Sequence, residues 1–216
     1  MDLEEVWRIR EEEIYPSLFG PVNRGIFTLG ADTFSRIGRN NIDPRWLFMG
    51  VFEFAPNRDR SNWLYVTSGY SNPWEVEPEN FDPARDSGSG IEFTLETSEQ
   101  GDWAIRTLLS MLAFDVLLSV GNFPNSKPLA IGDRIPLRSS ITGLPGCLIR
   151  NLILVEREEG SREFNLPSGK VALARFAGIT DSELAFAKEN SSAALCDRLK
   201  SAGCYTVTDP HRNSVA

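Results

Sequence analysis

The segment 103–120 is apolar around most of the circumference of a helix, and it constrains the fold of this chain more than any other feature. Asp102 is suited to cap its N-terminus, and Gly121 supplies the left-handed residue that commonly ends a helix. Arg106 and Asp115 interrupt the apolar run, which falls short of the ~20 residues that a membrane-spanning helix requires. A helix of this kind outside a membrane must be covered on several sides. We therefore expect it to pack across the inner face of a β-sheet.

The residues just before this helix alternate in the manner of a β-strand. Ile91, Phe93 and Leu95 are apolar and their neighbours are polar, which predicts a strand over 91–97 with one buried face. The segments 45–54 and 63–70 are expected to form a hairpin across 56–62. The full set of further strands, predicted from aromatic and β-branched residues between turn residues, is 26–34, 45–54, 63–70, 147–156 and 170–177.

Helices are predicted at both ends of the chain. Apolar residues recur at helical spacing over 3–15, and Pro16 is expected to end that helix. Thr180 and Glu183 form a capping-box pattern that opens a helix over 181–200. Few of the predicted strands are separated by the crossover helix that a parallel pair requires. The sequence therefore predicts an α+β fold, with a mainly antiparallel sheet and helices packed against it.

Charge and reactive residues exclude several classes of function. The net charge of −8 repels phosphate backbones and anionic lipids, so neither nucleic acid nor a membrane is an expected partner. The single histidine, His211, gives no basis for a His-based zinc site or proton relay. Cys147, Cys196 and Cys204 are odd in number and form no CxxC pair, which favours reduced thiols in a cytoplasm. The acidic residues at the start of the chain do not resemble a secretion signal.

The glycine-rich and acidic segments match no ligand-binding motif. Gly88 and Gly90 lie in a Gly-Ser run, but neither a GxGxxG nor a GxxxxGK pattern is present. The carboxylates of 75–86 lack the spacing of a calcium loop and alternate with prolines. An acid pair for glycoside hydrolysis stays open, because only the fold sets the separation between carboxylates. We predict no metal, no cofactor and no catalysis.

The tryptophans allow two interpretations. Trp46 and Trp63 lie on predicted strands, where aromatic residues belong to the core in most proteins. The alternative is a ligand pocket that they line together with Glu53 and Glu92. Trp74 differs from them, because it lies in a proline-rich acidic loop where a large apolar side chain has less reason to be buried. We predict that Trp74 anchors a partner.

Several segments, in order along the chain, resemble the Suppressor of fused (SUFU) domain family. No single segment is specific, but their order and spacing are. Family members often carry histidines beside the strand tryptophan, where this chain has Asn62 and Leu64. The resemblance is carried by NWLYVTSGYS at 62–71, GSGIEFTL at 88–95, the helix at 103–120, the strand, turn and capped helix at 171–184, and TDPHR at 208–212.

The resemblance implies one SUFU-like domain over 1–216, with a leading helix and loop in 1–25 and a C-terminal tail in 205–216. It also implies a binding protein without catalysis, because animal members sequester a transcription factor and single-domain bacterial members resemble toxin-neutralising immunity proteins. We favour the immunity-type role with a basic toxin as partner, since an acidic surface suits a basic protein. A regulatory adaptor, a small-ligand-binding domain and an enzyme are the alternatives. The predicted partner-binding residues are Trp74, Glu75, Glu77, Glu79, Asp82 and Asp86.

Overall fold

A computed structural model of the chain describes residues 2–158 and 160–216. These residues form eight strands: β1 (Val22–Thr28), β2 (Gly50–Phe54), β3 (Trp63–Ser68), β4 (Asp86–Thr97), β5 (Arg134–Pro136), β6 (Ile149–Glu156), β7 (Glu163–Leu166) and β8 (Gly169–Thr180). The strands lie in one sheet in the order β1-β2-β3-β4-β8-β6-β5, and β7 pairs with the first residues of β8.

The helices lie at the two ends of the chain, between β1 and β2, and after β4. Their bounds are α1 (Leu3–Arg8), which continues through a π turn (Ile9–Ile14) into α2 (Tyr15–Phe19), then α3 (Ala31–Arg36), α4 (Asp102–Ser119), α5 (Asp181–Glu189) and α6 (Ser192–Ser201). Two 3-10 turns, Pro44–Phe48 and Pro78–Asn80, lie in the connections. Within the described part of the chain, no helix is both long enough and apolar enough to cross a membrane.

Most strand pairs are antiparallel, as predicted. β2 and β3 form the expected hairpin, in which Gly50 lies opposite Ser68. β4 and β8 instead run parallel, with Phe93 opposite Ala174. Parallel neighbours need a long crossover, and here the chain passes through α4 and three strands before it returns beside β4. The α+β prediction with a mainly antiparallel sheet is confirmed.

Helix α4 covers one face of the sheet, as its apolar pattern predicts. Leu108 and Leu112 are fully buried in the same core as Phe93 and Phe176 of the central strands. The ring centroids of Phe93 and Phe176 are 5.1 Å apart, so the two parallel strands contact each other beneath the helix. Burying each Leu or Phe side chain stabilises the folded state by about 1.5–3 kcal/mol relative to leaving it exposed to water. This core holds the central strands in place.

The N-terminus of α4 differs from the prediction. Gly101 occupies the cap position and Asp102 is the first helical residue. The Asp102 carboxylate instead accepts a hydrogen bond from Arg24 at 2.8 Å. At the other end, Gly121 has a φ of 71°, in the left-handed region expected of the residue that ends a helix.

The opposite face of the sheet is covered as well, which makes the prediction of one buried face for 91–97 wrong. Glu92, Thr94 and Glu96 are at most 4% exposed. Apolar residues of α1 and α2 cover β2, β3 and the start of β8, and α5 and α6 cover β6 and the end of β8. Strand β4 is therefore the centre of three layers. Its polar side chains must find hydrogen-bond partners inside the protein.

Three elements near the N-terminus differ from the predicted ones. Residues 26–34 are not one strand, since β1 ends at Thr28 and Phe34 lies in α3. Residues 45–54 begin as a 3-10 turn and become β2 only at Gly50. Pro16 does not end the helix but lies directly after the π turn, at the second residue of α2. Aromatic-rich composition does not separate a strand from a short helix, because both bury such side chains.

The C-terminal half contains elements that periodicity missed. The helix predicted over 181–200 is two helices, because Ser191 begins α6 by accepting a hydrogen bond from Ala194 N at 3.0 Å. Strands β5 and β7 have three and four residues, too few for a periodic signal. The capping box of Thr180 and Glu183 is confirmed.

The segment 205–216 packs against the sheet and the start of α5. Thr208 bridges to Thr97 at the end of β4. Arg212 donates to both carboxylate oxygens of Glu183, at 2.5 and 2.7 Å. These contacts connect the last residues of the chain to the central strand and to the last helical hairpin.

Candidate functional site

Three aromatic side chains from separate parts of the chain meet at the surface. Trp7 of α1 stacks on Phe48 with ring centroids 5.6 Å apart. Trp74, in the loop after β3, lies 6.0 Å from Trp7 and 5.8 Å from Phe48. Phe48 is 57% exposed, whereas the two tryptophans are half-buried. We call Trp7, Phe48 and Trp74 the aromatic cluster.

The 3-10 turn before β2 directs Phe48 outward. Asp43 caps this turn by accepting a hydrogen bond from Arg45 N at 2.9 Å, and Pro44 follows at its first position. Trp46 turns inward, where its ring lies 5.4 Å from that of Phe34. The turn therefore anchors itself through Trp46 and leaves Phe48 at the surface.

Buried Arg10 holds α1 against the loop that bears Trp74. Its side chain is 1% exposed, and its guanidinium donates to Ser68 Oγ at 2.9 Å and to Asn72 Oδ1 at 2.7 Å. Glu11 supplies the counter-charge, with a carboxylate oxygen 3.1 Å from Arg10 Nη2. Because hydrogen bonds to charged groups are strong, these contacts hold Trp7 of α1 beside Trp74 of the loop.

A cavity of about 490 Å³ adjoins the aromatic cluster. Trp46, Tyr70 and Trp74 line its apolar part. Four of the predicted partner-binding residues, Trp74, Glu75, Asp82 and Asp86, line the same cavity, together with Arg45 and Arg85. Glu77 and Glu79 are exposed on the loop outside the cavity.

Arg45 neutralises part of the acidic loop. Its guanidinium lies 2.6 Å from the Asp43 carboxylate and 2.5 Å from that of Glu75. The hydrogen bond to Asp43 has the largest effect on the Arg45 pKa, and together with the bond to Glu75 it raises that pKa above its ordinary value. In return, the hydrogen bond from Arg45 lowers the pKa of Asp43. Among the described residues, Glu77, Glu79, Asp82 and Asp86 form no ion pair. The surface next to the aromatic cluster therefore carries uncompensated negative charge.

The structure does not bring together the residues of the alternative ligand pocket. The carboxylates of Glu53 and Glu92 are fully buried and line no part of this cavity. Glu53 accepts hydrogen bonds from Arg24 at 2.7 and 2.6 Å. Glu92 accepts bonds from the loop after β3, including one from Ser71 N at 2.9 Å. Trp46 lines the cavity, whereas Trp63 does not.

Sequence reasoning missed Trp7, Arg10 and Phe48. The helical pattern assigns Trp7 and Arg10 to a buried face, and Phe48 falls in a segment predicted as a strand. No local pattern reports that these residues and Trp74 meet, because they lie far apart along the chain. A buried arginine is unusual, but its burial is visible only after folding.

In the described part of the chain, no group of three His, Cys, Asp or Glu side chains is arranged to hold a metal ion.

Comparisons with known proteins place this geometry in context. A model of the family described as Suppressor of fused protein (SUFU) matches residues 47–213. A search of curated protein sequences gave no match. The crystal structure of the Sufu–Fu complex is similar over 99% of this chain and 91% of that chain, with a TM-score of 0.66 and 18% identity. The crystal structure of a putative SUFU homologue from Neisseria gonorrhoeae FA 1090 is similar over 99% of this chain and 98% of that chain, with a TM-score of 0.66 and 16% identity.

The Drosophila Suppressor of Fused structure is also similar, with a TM-score of 0.59 and 18% identity. The similarity covers 86% of this chain but 50% of that one, so the chain spans about half the length of the Drosophila protein. At these low identities, the structural similarity establishes the shared α+β fold. The family model matches well over half of the 216 residues and includes the segments 62–71, 88–95 and 208–212 that carry the sequence resemblance. The chain therefore belongs to the Suppressor of fused (SUFU) family.

Proposed function

We propose that this chain is a non-catalytic protein-binding domain whose contact surface is the aromatic cluster with the acidic loop 74–86. The observation that carries the proposal is the position of exposed Phe48 between two tryptophans and beside carboxylates that form no ion pair. Aromatic anchors at the centre and polar groups at the rim are typical of protein interfaces. Val76 and Leu47, which are 42% and 37% exposed, extend the apolar part.

The charge of this surface indicates a basic partner. Residues 75–86 contain five carboxylates and Arg85 as their one basic residue, in a chain of net charge −8. Opposite charges accelerate association and disfavour partners of the same sign. A toxin that cleaves nucleic acid must be basic to hold its substrate, so an immunity-type protein that neutralises such a toxin fits this surface. The three free cysteines agree with the cytoplasmic location that we propose.

A regulatory adaptor is the second candidate. It is favoured by the similar fold in the Sufu–Fu complex, a structure of that protein with another protein. Identification of the partner distinguishes the two candidates. A folded toxin encoded by a neighbouring gene supports the immunity role, and a transcription-factor peptide supports the adaptor role. Saturable turnover of a small substrate would contradict both.

The substitution Phe48→Ala is expected to weaken binding to the toxin-like product of the adjacent gene at least tenfold, because hot-spot aromatics carry about 2 kcal/mol or more. The free energy of unfolding should fall by only about 1 kcal/mol, since an exposed ring loses mainly its contacts with the rings of Trp7 and Trp74. Isothermal titration measures the affinity, and urea unfolding measures the stability. Trp74→Ala should also weaken binding, with a larger loss of stability because Trp74 is half-buried.

Leu144→Ala is the matched control for the Phe48 substitution, because Leu144 is 67% exposed in a loop outside the contact surface. It should leave both affinity and protection of cells during coexpression unchanged. Equal affinities for the wild type and Phe48→Ala would exclude the aromatic cluster as the anchor. No binding by the wild type, together with no protection of cells, would exclude the immunity role.

Reversing the charge of Glu77 and Glu79 is expected to slow association with a basic partner about tenfold at low salt. The difference should shrink near 1 M salt, where the Debye length is about 3 Å. Stopped-flow association rates at several salt concentrations provide the measurement. The control is the double substitution Glu189→Lys and Asp197→Lys on α5 and α6, which makes the same change in net charge elsewhere. If both double variants slow association equally, net charge rather than this loop steers the partner.

A further inference from the structure

The cavity of about 490 Å³ beside the aromatic cluster has an apolar floor. Met49, Tyr70 and Val116, from three separate parts of the chain, line it and are at most 7% exposed. The half-buried rings of Trp46 and Trp74 add aromatic surface to the same lining. Concave sites with a mainly apolar lining are typical binding sites, and aromatic rings favour contacts with other aromatic rings. The floor of this cavity therefore suits an aromatic side chain.

Two residues in the wall of this cavity carry a hydrogen-bond donor without a partner. Asn72 is 2% exposed and its Oδ1 atom accepts a hydrogen bond from Arg10, but its Nδ2 atom has no partner among the described residues. The Nε1 atom of Trp74 is buried and likewise lacks a partner in the described part of the chain. Buried donors without acceptors are costly. An occupant that carries carbonyl oxygens, such as a peptide backbone, would therefore gain hydrogen bonds here.

The exposed rim of the cavity is negatively charged. The described residues that line it include four carboxylates and two guanidinium groups, and two of those carboxylates already share the guanidinium of Arg45. Asp82 and Asp86 are exposed and form no ion pair with any described residue. The last turn of α4, which contains no basic residue, ends at the same cavity and adds partial negative charge. Basic groups beside an inserted side chain would therefore be attracted to this rim.

We propose that this cavity receives one aromatic side chain of a protein partner, carried on a peptide segment with a basic residue on each side of it. The proposal rests on the protein-binding function proposed above and specifies the segment that the partner inserts. The aromatic ring packs on the apolar floor, and carbonyl oxygens of the segment accept hydrogen bonds from Asn72 and Trp74. The flanking cations lie near Asp82 and Asp86. Exposed Phe48 and the cavity next to it then form adjacent anchors, one convex and one concave.

Nuclear magnetic resonance titration of the isotope-labelled chain with three capped tripeptides tests this assignment without the natural partner. The probe acetyl-Lys-Phe-Lys-amide should shift the signals of the Trp74 indole N–H and of the Asn72 side-chain amide, and the shifts should saturate. Acetyl-Lys-Ala-Lys-amide should bind at least about tenfold more weakly, because it lacks the ring that the floor buries. Acetyl-Glu-Phe-Glu-amide should also bind at least about tenfold more weakly, because the rim repels its charges.

The variant Ser119→Trp is designed to block the cavity, because Ser119 is exposed at the end of α4 and lines it. The new indole should occupy the space of the inserted ring and abolish saturable binding of the Lys-Phe-Lys probe. Ser110→Trp is the matched control. Ser110 lies on the same helix, also donates its hydroxyl to a carbonyl of that helix, and does not line the cavity. It should bind the probe as the wild type does, and melting temperatures check that both variants are folded.

Three results would overturn the assignment: no saturable shift with the Lys-Phe-Lys probe, equal affinity for the three probes, or unchanged probe binding by Ser119→Trp. The protein partner separates this proposal from the wider one. If Phe48→Ala weakens binding of the protein partner but Ser119→Trp does not, the contact surface stands and the cavity assignment fails. If the probe saturates the cavity but no protein partner binds, the preference of the cavity for a basic aromatic peptide stands and the proposed function fails.

Discussion

Replacing Arg212 with alanine is expected to lower the free energy of unfolding by about 3–5 kcal/mol, because it leaves a buried carboxylate without its counter-charge. Glu183 is fully buried, and Arg212 is 9% exposed. The two guanidinium nitrogens lie 2.5 and 2.7 Å from the carboxylate oxygens, and one of them also donates to Gly178 O at 2.8 Å. The loss should lower the melting temperature by about 10 °C for a chain of this size.

Urea unfolding followed by circular dichroism tests this expectation. Arg150→Ala is the control, because Arg150 Nε lies 4.0 Å from Asp181 and its side chain is 52% exposed. Such an exposed pair contributes less than about 1 kcal/mol. Arg212→Lys keeps the charge but loses the paired donors, so it should fall between the control and Arg212→Ala. If Arg212→Ala and Arg150→Ala lower the free energy of unfolding equally, the last residues do not stabilise the fold through the Arg212–Glu183 pair.

The pH dependence supplies an independent readout of the same pair. Burial alone would raise the pKa of Glu183, but hydrogen bonds from Arg212 and from the N–H groups of Thr180 and Val215 outweigh it and lower the pKa. A carboxylate with a lowered folded pKa stabilises the protein above its unfolded pKa of about 4.3. That stabilisation is lost as the pH falls through the folded pKa. Without Arg212 the buried carboxylate favours its proton, so the stability gap between wild type and variant should shrink from pH 7 toward pH 4.

The substitution Glu92→Ala is expected to lower the free energy of unfolding by about 4 kcal/mol, since it leaves several buried donors unpaired and opens a cavity. Glu92 is fully buried and accepts four hydrogen bonds. The donors are Thr67 Oγ1 at 2.5 Å, Gly69 N at 3.0 Å, and the N and Oγ atoms of Ser71 at 2.9 and 2.6 Å. The carboxylate thereby fixes the turn that leads from β3 into the loop of Trp74.

Chemical denaturation, with Glu163→Ala as the control, measures this effect. Glu163 is an exposed glutamate on β7, and its removal should change stability by less than about 0.5 kcal/mol. Ser71, which Glu92 holds, precedes the Asn72 that Arg10 binds. Glu92→Ala should therefore also weaken binding of the protein partner, measured at a temperature where the variant remains folded. A loss of less than about 1 kcal/mol would mean that the turn after β3 does not depend on this carboxylate.

Local patterns predicted those parts of the molecule that depend on neighbouring residues. The apolar run of α4, the alternation at 91–97 and the capping box at Thr180 all appear where the sequence indicates them. The errors arose where a pattern has two physical causes. Aromatic residues in 26–34 and 45–54 serve a short helix and a 3-10 turn as well as strands. The sequence also singled out the loop of Trp74, but the role of that loop in binding stays a prediction.

By itself, the sequence determined the main helix, most of the strands, the capped entrance to α5 and, through the order of its motifs, membership of the SUFU family. Only the tertiary structure decided that Arg10, Glu92 and Arg212 are buried and paired, and that Trp7 meets Trp74. The physical reason is the range of the interactions. Helix periodicity, caps and turns act over a few residues, whereas burial and ion pairing depend on segments that become neighbours only when the sheet is covered on both faces.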